Sequence, residues 1–281
     1  MAVTIVDAIA NLVNHTVLKE VSEYRSHNRA NGAGDALEEY VKDLFSGAFG
    51  MEYVDQMDCH SRAFSYLGNG SNPPDAMLWD GDAIEVKKLE SRTAALALNS
   101  SYPKHTLRVD SPMISTACRD AEVWREKDML YVVGFVHEGM LKDMAMVYGL
   151  DYCASAECYD RLKNIVAEGV NAIPGVNFSP TRELGRVNRV DPLGITSLRV
   201  RGMWGIENPW TVFDYVYRRD ERQRFNFMAL INKNKWESLG NADSLYDLST
   251  RNRRLCIKDV RIKDPDNPAH LNDAKLVTFT A

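Results

Sequence analysis

The chain has 281 residues, 45% of them hydrophobic and 26% charged, with a formal net charge of −5. That is a globular balance with room for a sizeable core, and the acidic total excludes a uniformly basic nucleic-acid coat. No apolar run approaches the roughly 18 residues of a membrane span, and MAVTIVDAIANLVNH lacks the basic start of a signal peptide, so a cytoplasmic location is the expectation.

Residues 5–14 have helical spacing of apolar positions. NGAGDALEEYVKDLFSGAFG opens on Asn-Gly and then places Ala33, Leu37, Tyr40, Val41, Leu44 and Ala48 on one face, a second helix ended by Gly47 or Gly50. From residue 63 the texture changes. AFSYLGNGSNPP reads as a strand and a turn. DAMLW and DAIEVKK read as two strands joined by Asp80-Gly81, a strong hairpin signal. Residues 89–115 are more polar and partly irregular. MLYVVGFV and DMAMVYGL form a strand pair around Glu138-Gly139, and residues 155–172 an amphipathic helix. ITSLRVRGMW, WTVFDYVY, FNFMALI and LCIKDVRIK all read as strands. The mixture, without regular βαβ alternation, predicts a mixed α/β (α+β) fold around one central sheet.

Charge is uneven. Residues 251–263 hold six basic side chains and one acid, and residues 182–201 hold five arginines against Glu183 and Asp191. An acidic whole with basic patches fits contact with a polyanion on one face. The five cysteines are scattered, as in reduced thiols. Cys153 and Cys158 lack a second Cys/His pair to complete a zinc site.

The chemistry concentrates in NPPDAMLWDGDAIEVKK, residues 72–88. Alternation sends Ile84 and Val86 towards a core and Glu85 and Lys87 together to the opposite face. Asp75 begins the neighbouring hairpin strand, so two carboxylates and an ammonium converge, by expectation facing solvent at a sheet edge. Asp75, Glu85 and a main-chain carbonyl such as that of Val86 form an oxygen donor set for Mg²⁺, and Lys87 can serve an attacking water. Such parts hydrolyse a phosphodiester. A second match, Pro265-Asp266 with Asp273-Ala274-Lys275, lacks an apolar strand before the acid and reads as a C-terminal loop. Gly68-Asn69-Gly70 is a turn with no phosphate-binding context. His15 and His137 read as structural or surface residues.

Pro74-Asp75 followed by Glu85-Val86-Lys87 resembles the PD-(D/E)xK nuclease motif. That family tends to carry an earlier helical acid, and in Gly34-Asp35-Ala36-Leu37-Glu38 the match is Glu38, with Glu39 and Asp35 as competitors. Together with SHNRANGAGDALEEYVKDLF and LGITSLRVRGMWGIENPW, the chain resembles NgoPII-type type II restriction endonucleases over most of its length. The resemblance implies a restriction-endonuclease-like core, a central mixed β-sheet flanked by helices. It implies one endonuclease domain over 1–281, with a catalytic core at about 30–150 and recognition and dimerisation elements at about 151–281. It also implies a homodimer that cuts double-stranded DNA at GGCC with Mg²⁺, for which Mn²⁺ can substitute.

Arg199 and Arg201 alternate in SLRVRG and share a strand face, which suits bidentate reading of guanine. Arg186, Asn188 and Arg189 are rivals for that role. Lys88, Lys104 and His105 are candidates for phosphate contact. Two other readings stand beside restriction: a repair or recombination nuclease of the same fold, and a catalytically silent DNA-binding module. The intact Asp75, Glu85 and Lys87 weigh against the second.

Overall fold

A computed structural model describes residues 2–16, 33–68, 72–98 and 100–281, the side chains of 33–35 excepted. Among the described residues three helices lead: α1 (Ile5–Asn14), α2 (Ala33–Ser46) and α3 (Tyr53–Ala63). Then come β1 (Phe64–Leu67), β2 (Ala76–Leu78), β3 (Ala83–Leu89), β4 (Leu96–Ala97), β5 (Thr106–Arg108) and α4 (Thr116–Arg119). The long pair β6 (Glu126–His137) and β7 (Met140–Tyr148) precedes α5 (Gly149–Tyr152) and α6 (Ala156–Asn171). Next are β8 (Gly185–Asn188), β9 (Ser197–Val200), β10 (Gly205–Ile206) and α7 (Pro209–Val212). The described chain closes with β11 (Asn226–Asn232), α8 (Lys233–Ser238), α9 (Asp243–Arg251), β12 (Leu255–Lys263) and β13 (Leu271–Thr280).

One mixed sheet organises these elements, in the order β1-β2-β3-β6-β7-β11-β13-β12, with β5 added on β6. The pairs β3–β6 and β7–β11 are parallel, while β2–β3, β6–β7, β11–β13 and β12–β13 are antiparallel. Period-2 alternation splits the core into two layers. On one face Ile84, Val86, Leu130, Val132, Met144 and Met146 pack against α1 and α2. On the other, Ala83, Leu89, Met129, Tyr131, Ala145 and Val147 pack against Leu107, Trp210 and Phe213. α1 starts on a capping box, with Thr4 Oγ1 accepting from Val6 N (3.2 Å) and Asp7 Oδ2 accepting from Thr4 N (2.8 Å). Gly47, at φ +72°, ends α2 in the left-handed region. Asp80 (φ +50°) makes the β2–β3 turn and Glu138 (φ +51°) with Gly139 (φ +74°) the β6–β7 turn, as their sequences predict.

Several expectations are corrected. β3 is no sheet edge, since β2 and β6 flank it, and its second face looks into a core layer instead of open solvent. α3 was not foreseen, because only His60 and Ala63 of its residues are buried and the apolar period is weak. WTVFDYVY begins with helix α7 in place of a strand: Asn208 Oδ1 caps Trp210 N (3.0 Å) and Pro209 pre-sets the first helical φ. Of ITSLRVRGMW only Ser197–Val200 forms a strand, β9, and the separate β10 begins just after the run, at Gly205. Asp273, Ala274 and Lys275 lie on β13 and not in a loop. Pairing with both β11 and β12 overrides the polar run before them. Lys275 is taken by Asp259 (2.7 Å), so that motif match gathers no free lysine.

Candidate active site

Hairpin pairing delivers the first carboxylate. Asp75 N–H donates to the Ile84 carbonyl (3.0 Å), and its Oδ2 accepts from Val86 N (2.7 Å), which fixes the side chain against β3. Gly68, the residue after β1, locks the same point. Its N–H donates to the Asp75 carbonyl (2.7 Å), and a Cβ there would lie 2.6 Å from Pro74 O and 2.9 Å from Asp75 O. The glycine is therefore a steric requirement of the Asp75 position.

On β3, Glu85 and Lys87 share a face, and Lys87 Nζ donates to Glu85 Oε1 (2.6 Å). Both side chains are largely enclosed, at 12% and 22% exposure. Glu85 Oε2 is buried and has no hydrogen-bond partner among the described residues. Burial and then the Glu85 charge push the Asp75 carboxyl up to about 7, against the opposing pull of Lys87 and the Val86 N–H. Burial disfavours the Lys87 ammonium, but Glu85 and Asp75 outweigh it and raise Lys87 above its usual range. The cluster thus carries more negative charge than its one lysine neutralises.

Glu38 on α2 belongs to this field: its charge raises both Asp75 and Lys87. Glu39 is instead engaged by Lys42 (2.6 Å) on the helix surface. The side chain of Asp35 lies outside the described residues.

The three motif residues line a cleft whose other walls include Tyr102, Lys104, Tyr131, Arg199 and Arg201. Lys104 reaches it from the segment before β5, and burial lowers its ammonium to about 8, partly offset by Glu85. Its position is set by Tyr131, the cross-strand neighbour of Glu85, whose hydroxyl accepts from Lys104 N (2.7 Å). Arg199 and Arg201 arrive together, as their alternation predicts, because one carboxylate grips both. Glu183 accepts from Arg199 Nε (2.8 Å) and Nη2 (2.7 Å) and from Arg201 Nε.

Other sequence candidates fall elsewhere. Alternation turns Lys88 to the face opposite Lys87, where it sits 3.4 Å from Glu90. His105, one residue past Lys104, lines a separate cleft with Asp128 and Lys235. Arg186 lies across from Arg199 in the β8–β9 register, with its Nε on Asn188 Oδ1 (3.0 Å), and Asn188 donates to Ser179 (3.0 Å). Arg189 follows in the connecting loop with φ +55°. The basic run 251–263 leads from the end of α9 onto β12, the far edge of the sheet. Cys153 is buried and Cys158 exposed, so they do not form a pair. Sequence reasoning missed Tyr131 and Glu183. Tyr131 could have been flagged as the one polar group in the apolar run MLYVVGFV, and Glu183 as the acid opposing a run of arginines.

Among the described residues no group of three or more His, Cys, Asp or Glu is placed to hold a metal. The donors on offer here are two carboxylates and main-chain oxygen. The orphaned Glu85 Oε2 fits a hard cation that keeps several waters.

A mixed sheet flanked by helices, with this acid and lysine cluster on an inner strand, is a restriction-endonuclease-like core. The chain belongs to the NgoPII restriction endonuclease family, whose sequence model matches residues 3–263. It is 59% identical over 276 residues to the type II restriction enzyme NgoPII of Neisseria gonorrhoeae, covering 98% of this chain and 99% of that one. No solved structure matches. The protein is a type II restriction endonuclease, a site-specific deoxyribonuclease acting on DNA. Enzymes of this type generally use divalent metal ions, and no helix among the described residues is long and apolar enough to cross a membrane.

Proposed function

We propose that the protein makes Mg²⁺-dependent double-strand cuts at a short palindrome, GGCC, and acts as a homodimer, with Mn²⁺ able to substitute. The observation that carries the metal-dependent cutting is the buried, unpartnered Glu85 Oε2 beside the raised carboxyl of Asp75. Asp75, Glu85 and the Val86 carbonyl would hold the ion. When bound it supplies Lewis-acid polarisation of the scissile phosphate and a more acidic water. Lys87, already oriented by Glu85, holds the attacking water and meets charge developing on the phosphate. Glu38 adds negative charge that keeps Lys87 protonated. Lys104 meets a backbone phosphate. Arg199 and Arg201 keep N–H groups beyond those on Glu183 and face the same cleft, where two guanines of a G·C-only site supply O6 and N7 acceptors. The choice of GGCC rests on the family likeness.

The test is plasmid digestion. Mg²⁺ or Mn²⁺ should give discrete bands mapping to GGCC. Ca²⁺ should support binding without cutting, and excess EDTA should abolish cutting. Lys87→Ala should lower the rate by about 10²–10³-fold or more while Ca²⁺-supported binding survives. Full cutting in EDTA, or a Lys87→Ala variant that is folded and cuts at the parent rate, overturns the assignment.

A further inference from the structure

α6 is a helix without an interior. None of its sixteen residues is buried, although its sequence is amphipathic. At about 100° per residue, Cys158, Leu162, Ile165 and Gly169 fall within about 60° of one another, with Val166 beside them. Leu162, Ile165 and Val166 are 53%, 59% and 41% exposed. The helix meets its own chain on another side, where Tyr159 stacks on Tyr102 (5.3 Å) and Val170 lies against Gly185. Gly169 adds an independent signal. A mid-helix glycine costs about 1 kcal/mol relative to alanine, yet nothing lies within 4 Å of where its Cβ would be. No contact among the described residues requires it, whereas close approach of another helix would.

We infer that this stripe of α6 is where a second copy of the chain docks, the two helices crossing antiparallel about a two-fold axis near Ile165. The inference rests on the homodimeric reading and adds its surface. Two observations select a second copy over another occupant. The first is charge. Arg161 and Glu168 lie seven residues apart on one flank of the stripe, both exposed, and among the described residues neither forms an ion pair. An antiparallel two-fold brings like flank to like flank. Arg161 is four residues before Ile165 and Glu168 three after it, axial offsets of about 6 and 4.5 Å. Arg161 of one copy therefore lies opposite Glu168 of the partner subunit, and the pair is made twice. The second is area. Residues 156–203 also expose, outside the active-site cleft, Ile173, Val176, Val190, Leu193, Ile195 and Leu198 at 37–81%. At about 150–200 Å² per fully exposed large apolar residue, the segment offers on the order of 900 Å², comparable to the roughly 800 Å² each partner gives to a standard interface. Arg199, Arg201 and Met203 of the same segment line the active-site cleft, so this interface would couple the two cutting centres.

Sedimentation equilibrium of the full chain, alone and on a short GGCC duplex with Ca²⁺, tests the inference. The parent should be a dimer. Leu162→Glu with Ile165→Glu should raise the dimer dissociation constant by about 100-fold or more, and Gly169→Leu should also weaken it. Arg161→Glu should weaken it by about 10-fold, and adding Glu168→Arg should restore it. Val54→Glu, on the exposed face of α3, is the control and should change nothing. A parent that stays monomeric with and without DNA overturns both the dimeric reading and the surface. A dimer indifferent to the Leu162 and Ile165 changes overturns the surface and leaves the dimeric reading standing. Failure of the charge swap to rescue overturns the antiparallel crossing.

Discussion

At the scale of single residues, enclosing Asp75 costs the fold stability once its carboxyl ionises. Asp75 titrates near 7 in the folded chain against 3.8 for an ordinary aspartate. Between those values the folded state holds the extra proton, so this group's contribution to stability falls as pH rises from about 4 through about 7. Asp75→Asn cannot titrate. In EDTA the variant should be the more stable protein at pH 8, by roughly 1–4 kcal/mol, and the advantage should vanish near pH 4. Urea melts at both pH values measure it, and a pH-independent difference would refute the burial argument. The same logic of one group holding another applies to Glu183. It grips Arg199 and Arg201 while both arginines remain about half exposed. Arg199→Ala or Arg201→Ala should weaken binding to GGCC duplexes by about 1–3 kcal/mol and to unrelated duplexes by less. Gel shifts showing equal loss on all sequences would reassign that arginine to phosphate.

At the scale of elements, packing decides whether Glu38 reaches the site. α2 lies on the sheet with Leu37 fully buried. It can approach because β6 has Gly134 there: a Cβ at that position would come 2.8 Å from Leu37 Cδ2. Gly134→Val should push α2 outward and carry Glu38, the next residue, away from Asp75 and Lys87. The expected outcome is a loss of about 1–3 kcal/mol in stability by overpacking, with cleavage falling more than DNA binding. Denaturant melts and paired cleavage and binding assays check it. Unchanged cleavage in a destabilised protein would remove Glu38 from the working site. The elements themselves were legible where a local signal was strong. The helix over 5–14, the Asp-Gly hairpin and the strand over 255–263 emerge at or close to their predicted bounds. The failures share a cause: WTVFDYVY is strand-like in propensity, but Asn208-Pro209 caps a helix, and the polar 271–275 is drawn into the sheet by two neighbouring strands.

At the scale of the whole molecule, the placement of charge matters more than its sum. The strongest basic run, 251–263, leads from the end of α9 onto β12, five strand spacings or about 24 Å from β3 across the sheet. Part of it is answered locally, with Arg261 3.9 Å from Asp273. Such charges on an edge strand also discourage unwanted pairing with other sheets. Reversing Lys258 and Arg261 to Glu should therefore shift stability by about 0.5 kcal/mol or less and reduce cleavage far less than loss of Arg199 or Arg201. Plasmid cleavage at fixed salt decides this, and a loss as large as that from Arg199→Ala would mean the duplex extends to this edge.

By itself the sequence determined the face that carries the acid and lysine cluster. A period of two on β3 places Glu85 and Lys87 together whatever surrounds them, and the Asp-Gly turn returns Asp75 to their side. These are short-range consequences of backbone geometry, and they survive translation into any fold. Only the tertiary structure decided that the cluster is enclosed and not at an open edge, that Glu38 and not Glu39 joins it, and that Lys104 enters the cleft while His105 leaves it. Each of those outcomes depends on which distant strand or helix comes to lie beside β3, and burial, the source of the site's electrostatics, exists only once they do.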